Sequence, residues 1–174
     1  GFVRIDLNNN SLNKMKAFAY LLLSLLFITS NCLSTYHFHH GDQLLRALQE
    51  AKGKIYVVMI AKDDTADKKL QLTNARVADG LYHNVLTIPP QTDENGQPQG
   101  EPQERDVVWA RVNADDEERN DHLLNRLHVD KPSLEEWPTV IVMKDGVGTS
   151  MHGPTTVRHA LRHVDEFLSA QQGQ

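Results

Sequence analysis

The sequence predicts an α/β domain in which helices flank a mixed sheet. Three observations predict it: short apolar runs alternate with stretches of helical spacing, a proline opens the run Trp137-Pro138-Thr139-Val140-Ile141-Val142-Met143, and that run ends at Asp145-Gly146. Alternating strands and helices favour parallel pairing, because each crossover needs the length of chain a helix supplies. Proline fixes its own φ and has no N–H for a ladder, so it suits the first residue of a strand. Asp-Gly between two strand-like runs favours a two-residue hairpin, which returns residues 147–151 antiparallel to their neighbour. The Trp137–Pro138 bond is also a place for a cis isomer.

The 174 residues allow one domain, and 40% hydrophobic with 24% charged residues is ordinary globular composition. The formal net charge is −5, and the first 34 residues carry Arg4, Lys14 and Lys16 against Asp6, so the acidic excess lies in the remainder. An acidic domain argues against a nucleic-acid partner, which needs a basic face.

Met15-Lys16 followed by the uncharged run 17–28 has the basic start and apolar middle of a secretory signal peptide, with Cys32-Leu33-Ser34 offering small residues for cleavage before Thr35. The expected organisation is an upstream extension over 1–14, a signal peptide or membrane anchor over 15–34, and a folded domain over 35–174. Residues 17–33 reach the lower limit of a membrane span, and Ser24, Thr29, Ser30 and Asn31 favour cleavage over anchoring. Cys32 is the one cysteine of the chain and falls in the segment that cleavage removes. The mature domain is then without a thiol for disulfides, thiolate metal sites or thiol exchange.

Along the domain, Asp42 is expected to cap a helix bearing Leu44, Leu45, Leu48 and Ala51, which Gly53 ends. Residues 55–61 form an apolar strand buried on both faces. Asp63-Asp64-Thr65 start a helix with Leu70, Val77 and Leu81 on one side, and Gly80 weakens its end. Residues 88–105 combine Pro-Pro, Asn-Gly and glutamines without an apolar face, which predicts a flexible surface insertion. A strand over 107–112 follows, then Asp115-Asp116 lead into a helix carrying Leu123, Leu124 and Leu127. Thr155-Thr156 open the last helix, whose Val157, Ala160, Leu161, Val164, Phe167 and Leu168 make a wide apolar stripe.

This order resembles the thioredoxin superfamily over about residues 36–170. The matching pieces are 55–68 for the strand and turn that bear the active site, 107–116 for the next strand, 137–146 for the cis-proline strand and hairpin, and Gly153 before the last helix. Aligned on Ala61, the two cysteines of the family's Cys-x-x-Cys motif fall on Asp64 and Asp67, and the motif reads Asp64-Thr65-Ala66-Asp67. The resemblance implies a thioredoxin-like three-layer sandwich. The departure implies a redox-inactive member, because that chemistry needs a thiolate at a helix N-terminus and a second thiol to resolve the mixed disulfide.

The expected function is non-catalytic binding of a protein or extended peptide, as in the non-catalytic domains of disulfide-isomerase relatives. The compartment implied is the endoplasmic reticulum lumen or the exterior, with no cofactor and no membrane contact once the leader is removed. The expected binding residues are Asp64, Asp67, Trp137 and Pro138, with Trp137 an amphipathic contact beside a strand that holds an extended peptide. The alternative is a membrane-anchored structural subunit that retains residues 17–33.

Other polar clusters have plainer and sharper readings. Asp64 as a helix cap with Asp67 in the first turn is the plainer one, and a hard-cation site from Asp63, Asp64 and Asp67 the sharper. Cleavage after Ser34 leaves Thr35-Tyr36-His37, whose amine, two backbone nitrogens and His37 imidazole can wrap Cu²⁺ or Ni²⁺; otherwise this is a first strand with histidines on its wet face. His159 and His163, one helical turn apart, lack a third ligand and read as a solvated face.

Overall fold

The computed structural model describes residues 34–172, and the expected leader up to residue 33, Cys32 included, lies outside the described residues. Among the described residues no helix is long and apolar enough to cross a membrane.

The core is organised by β2 (Ile55–Ala61), all seven of whose residues are buried. A strand with apolar side chains on both sides can be covered only by a layer on each face. Ile55, Val57, Met59 and Ala61 face α2 (Lys68–Leu81) and α4 (Thr156–Gln172), where they meet Val77, Leu81, Ala160 and Val164. Tyr56, Val58 and Ile60 face α1 (Gly41–Glu50) and α3 (Glu117–Arg126), where they meet Leu44, Leu48, Leu123 and Leu124. Each large aliphatic side chain so buried contributes about 1.5–3 kcal/mol.

The sheet has five strands in the order β1 (Ser34–Thr35), β7 (Val108–Asn113), β2, β8 (Thr139–Lys144), β9 (Val147–His152). β1 and β2 both run parallel to β7, while β8 is antiparallel to β2 and β9 to β8. The fold is thus α/β with a mixed sheet and four helices, as the alternation of elements predicts. The Asp-Gly hairpin forms at the expected residues, with φ of 52° at Asp145 and 78° at Gly146, the two positive values a tight hairpin turn takes. Asp145 also accepts from the Gly53 N–H at 2.6 Å, tying this turn to the loop before β2.

Several expectations are corrected. His40, not Asp42, stands at the N-cap of α1, and Asp42 lies in the first turn, where its carboxylate meets His122 Nδ1 of α3 at 2.6 Å. That hydrogen bond lowers the Asp42 pKa. Every peptide bond among the described residues is trans, Trp137–Pro138 included. A short 3₁₀ turn (Pro132–Glu135) brings the chain to Trp137, whose N–H still reaches the Ser133 carbonyl at 3.3 Å. The chain therefore enters β8 directly, and the trans isomer keeps its ordinary advantage of about 0.5–1 kcal/mol.

The 88–105 segment is on the surface as expected, yet it is a β-hairpin arm and not a featureless loop. β3 (Thr87–Ile88) pairs with β6 (Gln103–Glu104), and β4 (Gln91–Thr92) with β5 (Pro98–Gln99). Asp93 closes its tip by accepting from the N–H groups of Asn95 at 2.9 Å and Gln97 at 2.8 Å. Arg105 holds its base through an ion pair with Asp165 of α4. Local turn chemistry thus gives strand pairing to a segment that has no apolar face.

Candidate functional site

The parallel strands β2 and β7 end side by side, and the chain enters β8 at the same end of the sheet. Loops leaving the carboxyl ends of parallel strands are where open α/β sheets place their ligand sites. Three connections meet here: 62–67 after β2, 114–116 after β7, and the 3₁₀ turn with Trp137 and Pro138 before β8.

Asn113, the last residue of β7, fastens the first two. Its Nδ2 donates to Asp64 Oδ2 at 2.8 Å, and its Oδ1 accepts from the N–H groups of Asp63 at 3.3 Å and Asp115 at 3.0 Å. The Asp64 N–H in turn donates to Asp115 Oδ2 at 2.8 Å. Arg111, two residues earlier on β7, grips Asp63 with two hydrogen bonds of 2.6 and 3.0 Å. That bidentate contact raises the Arg111 pKa above its ordinary value. On the other side, Asn74 of α2 donates to the Lys62 carbonyl at 2.8 Å, and the Lys62 ammonium pairs with Glu135 of the 3₁₀ turn. The Glu135 hydrogen bond raises the Lys62 pKa.

These bonds separate the two aspartates that the motif alignment set together. Asp67 is the N-cap of α2: its carboxylate accepts from the Lys69 N–H at 2.8 Å, and its own N–H donates to Thr65 Oγ1 at 3.2 Å. The expectation that Asp64 caps the helix and Asp67 follows in its first turn is therefore corrected. Asp64 is drawn instead to β7, because the Asn113 amide offers it a donor there. A shared cation site from Asp63, Asp64 and Asp67 is corrected for the same reason: Arg111 holds Asp63, Asn113 holds Asp64, and the helix end holds Asp67. Among the described residues no three His, Cys, Asp or Glu side chains converge on a point where a metal ion would sit.

Between the start of α2 and the 3₁₀ turn runs a groove of about 290 Å³, with Asp67, Leu70 and Thr73 on one wall and Glu135, Glu136 and Trp137 on the other. Lys69 also lines it. Trp137 is half-buried and packs its ring against the core cluster beneath α2 and α4 while also lining the groove. Of the four residues expected to bind, Asp67 and Trp137 therefore share one groove. Pro138 is buried at the root of β8, and Asp64 lies with Asn113 and Asp115.

His37 lines a separate recess of about 340 Å³ at the β1 edge, together with Tyr36, Phe38 and Trp109. The Tyr36 N–H there donates to the Trp109 carbonyl at 2.8 Å. A square-planar Cu²⁺ or Ni²⁺ complex needs that nitrogen as a ligand, so it would form only at the expense of the sheet bond. Sequence reasoning missed Asn113, Arg111, Asn74 and Glu135. The one signal that could have exposed Asn113 is an amide closing a strand immediately before an acidic turn, where carboxylates and free N–H groups both need a partner.

No protein-family model matches the chain, and no curated protein matches its sequence.

Proposed function

We propose that this chain is a redox-inactive, thioredoxin-like binding module of the secretory pathway, and that it holds an extended segment of a protein or peptide in the groove between Asp67 and Trp137. The observation that carries this reading is the groove itself, which opens between the end of the Asp64-Thr65-Ala66-Asp67 segment and the entrance to β8. Helices on both faces of a mixed sheet, a closing β-hairpin and a last helix support the thioredoxin-like assignment. Residues 34–172 contain no cysteine, which supports binding in place of thiol exchange.

The chemistry of the groove suits a peptide. Its volume of about 290 Å³ falls just below that of small-molecule sites, which run from roughly 300 to 1,000 Å³ and enclose most of their ligand. A groove of that size takes one or two side chains of an extended segment. Trp137 supplies the apolar contact above the buried Leu70, while Glu136 and Lys69 offer both signs of charge to the polar groups that flank it.

The test is titration of the purified protein with a permanently unfolded polypeptide. Trp137→Ala should weaken binding by about tenfold or more, the range of a buried aromatic anchor. Thr73→Arg, which fills the groove from α2, should do the same while leaving Trp137 packed. Unchanged affinity in both variants contradicts the reading.

A further inference from the structure

The two edges of the sheet are treated differently by the sequence. At one edge β1 is two residues long, and beyond it the margin of β7 carries the Arg111–Asp63 ion pair. Short strands and charges are the usual guards of an open edge. At the other edge β9 pairs with β8 through all six residues, and among the described residues no strand pairs with its outer side. Its sequence Val-Gly-Thr-Ser-Met-His contains no Lys, Arg, Asp, Glu or Pro. Every residue of β9 but Met151 is exposed, and Val147 at 71% is the most exposed large apolar side chain among those described. Alternate residues of such a strand direct their N–H and C=O groups outward, so β9 offers a ready ladder.

We propose that β9 pairs antiparallel with β9 of a second copy of this chain, joining two sheets into one across a two-fold axis at Thr149. The strand is suited to its own copy. A two-fold axis perpendicular to the sheet keeps each face on its own side, so each residue must pair with one of the same parity, and the axis passes midway between one residue and its own copy. Met151 packs into the core beneath α4, which sets the odd-numbered residues on the α4 face.

Centring on Thr149 puts Val147 opposite Met151 of the copy, an apolar pair, with Gly148 opposite Ser150 and Thr149 opposite itself. Cross-strand apolar and Thr–Thr pairs are favourable, and no like charges meet. Centring on Ser150 also pairs five residues, but it leaves the exposed Val147 facing Gly153 beyond the end of the strand, whereas centring on Thr149 leaves out the polar His152. There is also room for the helices. α4 lies over β8 and β9, so the two copies of α4 stand two to three strand spacings apart, about 10–14 Å. Two helices pack side by side at about 8–10 Å, so that spacing admits both copies of α4.

The experiment is sedimentation of the full chain over a range of concentrations. The wild type should show a monomer–dimer equilibrium. Thr149→Lys and Thr149→Glu each set like charges opposite one another on the axis, and each should weaken the dimer by about tenfold or more. An equal mixture of the two variants should recover a mixed dimer. Because Thr149 is exposed, both variants should keep the circular dichroism of the wild type. Trp137→Ala should leave the dimer intact, which separates this interface from the groove. A chain that stays monomeric at its highest soluble concentration overturns the proposal. So does a dimer that both Thr149 variants leave unchanged, a mixture that fails to associate, or an edge that captures the unfolded polypeptide in place of a second copy.

Discussion

Replacing Leu134 with alanine is expected to destabilise the fold by about 2–5 kcal/mol, the range for truncating a fully buried leucine. Leu134 is 1% exposed although it sits in the four-residue 3₁₀ turn Pro132–Glu135 and not in a long element. It belongs to the cluster beneath α1 and α3, with Leu123, Leu124 and Ile141. A turn of one 3₁₀ cycle has little stability of its own, so this side chain is its anchor. The same turn carries Glu135, which holds Lys62, and the Ser133 carbonyl that receives the Trp137 N–H. Loss of the anchor should therefore weaken peptide binding in addition to lowering the unfolding midpoint. Urea titration gives the first quantity and the binding assay at a temperature well below the midpoint gives the second.

The second large effect is expected at Asn113. Its side chain makes three hydrogen bonds, to Asp64 Oδ2 and from the N–H groups of Asp63 and Asp115. Each is worth roughly 0.5–1.5 kcal/mol, so Asn113→Ala should cost about 2–4 kcal/mol in total. The effect should be local in its consequences. With the amide gone, the Asp64 carboxylate loses its donor and the Asp63 N–H its acceptor, so the middle of the loop over 62–67 is left with the Asp64 N–H to Asp115 bond, while Arg111, Asn74 and Glu135 still hold its start. Amide hydrogen exchange over that loop should quicken more than exchange in β2, whose pairing with β7 and β8 is untouched. Equal quickening throughout would mean that Asn113 acts only through global stability.

Those two residues also mark where the sequence stopped being legible. β2 could be read to the residue because an apolar run at Ile55–Ala61 has few other uses, and Asp145-Gly146 because its turn demands positive φ at both positions. The start of α2 was misread because three aspartates in five residues all satisfy the rule for a cap. Which one wins depends on Asn113 and Arg111, some fifty residues distant in the chain. Leu134 has no signature in the sequence, since a single leucine in a turn has no periodicity to announce its burial. The hairpin arm over 87–104 was read as loop because its order comes from the Asp93 turn and the Arg105–Asp165 pair, neither of which shows as an apolar pattern. Trp137 and Asp67 were found because a tryptophan before a strand-opening proline and an acid before a helix each carry a local meaning. Their sharing of one groove is a property of the fold alone.

The most direct test of the binding account is to follow backbone amide signals of the isotopically labelled protein as an unfolded polypeptide is added. The account predicts that the largest changes fall on residues 67–73 and 134–139, which form the two walls of the groove, together with the Trp137 indole signal. Changes concentrated instead on Tyr36, His37, Phe38 and Trp109, around the recess at the β1 edge, would contradict it, as would a spectrum that the polypeptide leaves unmoved.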